Sequence, residues 1–148
     1  DNANKSAAGP PELYSGESGT AFACIKQLTV MSKFQNKLIG KIGEDLARDY
    51  LVKQGYQIVA ANFHTRFGEI DIIAQDKDIL IFVEVKTKQS LDFGPPEAMF
   101  TPRKYDRVKR MATVYLKGRD VPCRIDLIAI VLDTNHQPLS INHYQNPY

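Results

Sequence analysis

The chain has 148 residues, 43% of them apolar, with a formal net charge of +2 and only two cysteines. That length holds one domain with an adequate core, and the apolar share is ordinary for a globular protein. No run is long enough to cross a membrane, and the charge is too mild to argue for a nucleic-acid partner by itself. Cys24 and Cys123 stand in unlike contexts and suggest reduced thiols in a cytoplasmic protein. Neither they nor His64, His136 and His143 have a zinc-ligand spacing.

Residues 1–31 differ from the rest. Asn, Ser, Ala, Gly and Pro dominate, as in Gly9-Pro10-Pro11 and Ser15-Gly16-Glu17-Ser18-Gly19, which is linker composition. Met31-Ser32-Lys33 reads like a natural start. The expectation is a flexible extension over 1–31, of artificial or upstream origin, followed by a single domain over 32–148.

The first element of that domain is a helix over Lys37 to Gln54, closed by Gly55. Leu38, Ile39, Ile42, Leu46, Tyr50 and Leu51 have the spacing of a core-facing stripe. Gly40, Gly43 and Ala47 fall on the flank of the stripe beside Glu44, where small residues let a helix approach a sheet. Glu44 is then either held against the sheet or an ordinary surface glutamate. A strand over Gln57 to His64 follows.

Two charged strands come next, Gly68 to Gln75 and Ile79 to Lys88, joined by the polar connection Gln75-Asp76-Lys77-Asp78 that suggests a hairpin. Alternate strand residues share a face, which groups Glu69 with Asp71 and Glu84 with Lys86. A turn centred on Asp76-Lys77 places Asp71 opposite Phe82, so that Asp71 and Glu84 become diagonal neighbours on one face. Carboxylates that close repel unless a positive group sits between them, and a divalent metal beside Lys86 would supply it. The run Ile79 to Val85 is apolar on both faces, as in a central covered strand. Its charged end can border a cleft, although a lone Glu-x-Lys also occurs in ordinary hairpins as a solvated strand end.

A helix over Thr101 to Lys117 starts with a capping residue and a proline. Val108, Met111, Ala112, Tyr115 and Leu116 form its buried stripe, while Arg103, Lys104, Arg107, Lys109, Arg110, Lys117 and Arg119 accumulate against the single acid Asp106. Such a face suits contacts to phosphates with little base readout, or is simply solvated. His64, Arg66, Lys88, Lys104 and the loop from Ser90 to Pro96 are candidates for the same rim. A strand over Arg124 to Leu132 contains Asp126, which either partners a base or faces solvent, the latter being favoured. A last short strand lies near Leu139 to Tyr144. The order gives an α/β sandwich with a mixed sheet between helices, the helix before the fourth strand being long enough for a crossover.

Gly40-Lys41-Ile42-Gly43-Glu44-Asp45-Leu46-Ala47, Gly68-Glu69-Ile70-Asp71-Ile72-Ile73-Ala74 and Phe82-Val83-Glu84-Val85-Lys86-Thr87-Lys88 together resemble the PD-(D/E)XK nuclease superfamily. More narrowly they resemble the YraN family of uncharacterised bacterial proteins, on the branch similar to Holliday-junction resolvases. The likeness runs from about Phe34 to the C-terminus and includes Phe93-Gly94-Pro95-Pro96, Arg124-Ile125-Asp126 and His143-Tyr144. Ile70 stands where the superfamily's name-giving proline would be, as in the resolvase branch.

The resemblance implies a restriction-endonuclease-like α-β-β-β-α-β core. It implies Mg²⁺ or Mn²⁺ held by Asp71, Glu84 and the Val85 carbonyl through hard oxygen ligands. Glu44 would serve a second ion or its water, with Glu69 as an outer ligand. Lys86 would orient the attacking water and help to deprotonate it. The implied substrate is DNA, including branched forms such as Holliday junctions, with Lys88, Arg103, Lys104, Arg107 and Arg110 on its phosphates and a homodimer as the assembly used by relatives on such DNA. Three readings stand at this point: a metal-dependent endonuclease, a non-cleaving nucleic-acid-binding accessory protein in DNA processing or repair, and a protein-interaction domain whose charged strand ends serve solubility.

Overall fold

The computed structural model of the protein describes residues 18–148 apart from Phe93, without the side chains of residues 18–22 and 24. The elements are helix α1 (Ser18–Lys53), strands β1 (Gln57–Thr65), β2 (Gly68–Asp76) and β3 (Ile79–Lys88), a 3-10 turn at Pro96–Met99, helix α2 (Pro102–Leu116), and strands β4 (Cys123–Leu132) and β5 (Pro138–Gln145). The chain divides between Phe34 and Gln35 into two compact units.

In the first unit, the part of the expected extension before Ser18 lies outside the described residues, whereas the rest is helical. Between Thr20 and Asn36 there is neither proline nor glycine, and Ala, Leu, Lys, Gln and Met favour a helix. The linker composition is confined to the residues before that segment. Ile25, Leu28, Met31 and Phe34 are exposed.

In the second unit, the five strands form one mixed sheet in the order β1-β2-β3-β4-β5. β3 and β4 are parallel, joined through α2, and the other neighbouring pairs are antiparallel. β3 lies in the middle, which explains why it is apolar on both faces. Ile72, Ala74, Ile81, Val83, Val85, Ile128 and Ile130 pack with Ile39, Ala47 and Leu51 of α1. On the other face Ile70, Ile73, Phe82, Ile125 and Leu127 pack with Val108, Met111 and Ala112 of α2, matching the stripe read from that helix.

Three expectations are corrected by this packing. The α1 contact line is Ile39, Gly43, Ala47 and Leu51, all buried, with Leu38 43% exposed. The small residues are thus the centre of the stripe and not its flank. At Gly43 the reason is steric: an added Cβ would collide with the Thr87 hydroxyl and come within 2.8 Å of the Thr87 Cβ. Thr101 precedes α2 as expected, and Pro102 opens it, but the Thr101 side chain makes no capping hydrogen bond.

The third correction concerns the hairpin. Asp76 pairs with Ile79, so the turn centres on Lys77-Asp78, with Lys77 in the left-handed region at φ 53°. The register is displaced by two residues from the expected one. Each side chain keeps its face, but Asp71 moves from a diagonal position to one facing Glu84 across the strands.

Candidate functional site

The β2–β3 ladder ends at Ile72 and Val83, so Asp71 and Glu84 are the next residues on each strand. Beyond that point a side chain replaces the backbone pairing: the Val85 N–H donates to Asp71 Oδ2 at 2.7 Å. Glu84 is only 4% exposed. Strand alternation places Glu84 and Lys86 on the face of Phe82, which is covered by α2. The Lys86 ammonium bonds to Glu84 Oε1 and lies 3.3 Å from the Val85 carbonyl.

Burial, and next the charge of Glu84, push the Asp71 carboxyl up to about 7, with Glu44 adding to the effect, while the Val85 N–H and Lys86 oppose it. Asp71 therefore takes up a proton near neutral pH in the metal-free site, beside the charge of Glu84. Glu44, half-buried on α1, is also raised, first by burial and then by Glu69. Hence α1, β2 and β3 bring Glu44, Asp71, Glu84 and Lys86 into one electrostatic group.

Asn62 on β1 completes it. With its amide nitrogen turned toward the two carboxylates, Asn62 donates to Glu44 Oε2 and Glu69 Oε1, each at 3.0 Å. Its φ of 52° is left-handed, a conformation that asparagine tolerates better than most residues. This residue was not singled out from the sequence, and the available signal was weak: a lone asparagine inside a strand, where it is disfavoured. His64 reaches Glu69 at 3.6 Å from an exposed position.

The basic face of α2 borders the group. Thr101, Arg103, Lys104, Arg107 and Arg110 line a cavity of about 420 Å³. Burial, then Lys86, lowers the Lys104 pKa, with Glu84 pulling it the other way, which ties the α2 cations to the acidic residues. Lys88 is not gathered there; its ammonium donates to the Gly94 carbonyl at 2.7 Å.

Asp126 does not face solvent. It is fully buried on the α1 face, accepting from Arg124 Nε at 3.0 Å and from the Asn146 N–H at 3.2 Å, and 2.9 Å from His143 Nε2. Its partners lie in its own strand, in β5 and just beyond β5, so its surroundings were not legible from an apolar strand alone.

As a donor set, Asp71, Glu84 and the Val85 carbonyl offer hard oxygens, and two carboxylates facing each other across the strands suit a divalent cation. Among the described residues, no three Asp, Glu, His or Cys side chains gather closely enough to hold a metal unaided. A cation here would use the main-chain carbonyl or water to complete its shell, as Mg²⁺ commonly does.

The fold and the site define a mixed α/β domain with an acidic, lysine-bearing centre at the end of a central strand. A family model described as uncharacterised protein family UPF0102 matches residues 43–130, more than half of the chain. The UPF0102 protein of Syntrophomonas wolfei subsp. wolfei is 42% identical over 116 residues, covering 76% of this chain and 99% of that protein. The one from Dictyoglomus turgidum is 40% identical, covering 76% and 98%, and the one from Clostridium botulinum strain Loch Maree is 36% identical over 117 residues, covering 76% and 95%. The chain belongs to this family, the one met above as the YraN proteins. No helix among its described residues is long and apolar enough to cross a membrane.

Proposed function

We propose that the protein is a metal-dependent endonuclease that hydrolyses DNA phosphodiester bonds in the cytoplasm, with branched DNA among its substrates. The observation that carries this reading is the partly desolvated pair Asp71 and Glu84 with Lys86 between the acids and the α2 cations. The order of helix, three antiparallel strands, helix and parallel strand agrees with a PD-(D/E)XK core. Asp71, Glu84 and the Val85 carbonyl would hold Mg²⁺ or Mn²⁺, with Glu44 on its outer side. When bound, the cation supplies a lowered pKa for water and positive charge for the phosphoryl oxygens.

The rest is work for the chain's own groups. Arg103, Lys104, Arg107 and Arg110 bind the phosphates that flank the reacting one. Lys86, which bonds to Glu84 in the metal-free protein, would orient the attacking water and steady the charge that develops on the phosphate oxygens. Water oxygen joins phosphorus, one ester P–O bond breaks, and the water proton ends on the released strand.

A second reading, a DNA-binding accessory protein that does not cut, is favoured by the closed Lys86–Glu84 pair and by the incomplete donor set. Calorimetry with Mn²⁺ on the wild type, Asp71→Ala and Glu84→Ala, followed by incubation with linear, flapped and four-way DNA, separates the two. The nuclease reading expects metal binding lost in both variants and cleavage of at least one DNA form by the wild type alone. Metal binding without cleavage selects the accessory reading, and no metal binding at all sinks the nuclease.

A further inference from the structure

A cavity of about 590 Å³ lies on the α1 side of β3, lined by Gln35, Asn36, Ile39 and Gly40 of α1, Thr87 and Lys88 of β3, Gln89, Ser90 and Met99. It adjoins the site: Thr87 follows Lys86, and Thr87 is packed against Gly43, the neighbour of Glu44. Its character is opposite to that of the α2 cavity. Four cations line the latter, whereas here the single cation, Lys88, already donates to Gly94. The walls instead offer the amides of Gln35 and Asn36, beside Gln89, whose amide nitrogen donates to the Asp133 carbonyl at 3.0 Å, above apolar surface from Ile39 and Met99.

Gly40 gives an independent indication. Glycine inside a helix is unfavourable relative to alanine, and Gly43 has a packing reason in Thr87. Gly40 has none, since nothing lies within 4 Å of where its Cβ would stand. Its missing side chain keeps the cavity open and lets a ligand approach the helix backbone.

Amides that both donate and accept, over an apolar floor, match the exposed edge and flat face of a nucleobase. They match a phosphate poorly. In a duplex the Watson–Crick edge is occupied and the flat face is stacked on its neighbours, so an unpaired, unstacked base is what presents both edge and face to such a cavity. We propose that this cavity receives an unpaired base of the strand held at Asp71 and Glu84. The preferred DNA then has duplex on the α2 side of the reacting phosphate and single-stranded nucleotides on the α1 side. The proposal rests on the nucleic-acid reading above and specifies its substrate.

The test measures binding by fluorescence anisotropy in the presence of a chelator, so that cleavage plays no part. The ligands are a short blunt duplex, the same duplex with a single-stranded tail on either end of a strand, and the tail alone. The wild type should bind one tailed duplex about tenfold more tightly than the blunt one, the scale of one well-placed base contact. Gly40→Leu should fill the cavity and abolish that gain while leaving blunt-duplex binding unchanged and raising the melting temperature through better helix propensity. Asn36→Ala, an exposed position, should weaken only the tailed complex.

Equal binding of blunt and tailed DNA by the wild type would overturn the proposal, as would Gly40→Leu weakening both ligands alike. Failure to bind any DNA would overturn both it and the nucleic-acid reading. Tail-dependent binding lost in Gly40→Leu, with no Mn²⁺-dependent cleavage, would support the cavity assignment and remove the nuclease reading alone.

Discussion

Asp71 shows how one side chain can be placed against its own stability. In the metal-free protein, burial and Glu84 raise its pKa from the ordinary 3.8 to about 7. The folded value lies above the unfolded one, so the protonated form is favoured on folding. Its stabilising contribution is complete below pH 4 and is lost as pH rises through about 7. Asp71→Asn keeps an oxygen for the Val85 N–H and removes the charge. The variant should therefore be more stable than the wild type at pH 8, and the gain should shrink as pH falls through about 7 and vanish near pH 4. Urea denaturation of the two proteins across that range, with metal chelated, checks this. A gain that is independent of pH would mean that the Asp71 charge is not what strains the folded state. The same substitution should cost Mn²⁺ affinity, so stability and ligand binding are expected to move in opposite directions.

At the level of elements, α1 is held to β3 by a close approach that requires glycine. Gly43→Ala should destabilise the protein by about 2 kcal/mol through overpacking, since its Cβ would meet Thr87. Thr87→Gly should relieve much of this in the double variant, giving a coupling above about 1 kcal/mol in a thermodynamic cycle; additive effects would mean that α1 adjusts without pressing on Thr87. On α2, removing any one of Arg103, Lys104, Arg107 or Arg110 should reduce the slope of log affinity for DNA against log salt by about 0.9 for each phosphate no longer neutralised. Unchanged slopes for all four would make the basic face a solvated surface.

These elements also mark how much could be read from the sequence. The strands, α2 and the buried stripe of α2 were legible because period-2 and period-3.6 patterns follow from one-sided burial. The grouping of Asp71, Glu84 and Lys86 was legible for the same reason. The hairpin register was not, because registers two residues apart bury the same faces. Asn62 was hidden because its role depends on two carboxylates from different elements.

The whole molecule adds a second polar centre, on the α1 face of the sheet. Val83 pairs with Asp126 in the parallel ladder, so the Asp126 side chain shares the face of Val83, whereas Glu84 faces α2. Around Asp126, Arg124 also donates to the Tyr56 hydroxyl at 3.0 Å and lies 3.7 Å from Asp76. Gln145 donates to the same hydroxyl at 3.1 Å, and the rings of Tyr50 and Tyr56 meet His143 edge-on. The network thus joins the end of α1, the β2–β3 turn, β4 and β5, and it has no buried side-chain polar atom without a partner among the described residues. A buried ion pair contributes little when intact, but loss of one partner leaves the other charge stranded. Asp126→Ala should accordingly destabilise the fold by about 3 kcal/mol, measured by urea denaturation, while leaving the Mn²⁺ affinity of the folded protein within a factor of about two, since the sheet separates the two centres. Should Asp126→Ala weaken Mn²⁺ binding as strongly as Asp71→Ala does, the network would have to be counted with the acidic site. The unchanged affinity expected here would identify it as the device that fixes β4 and β5 against α1, so that the facing acids Asp71 on β2 and Glu84 on β3 are held together without the sheet opening there.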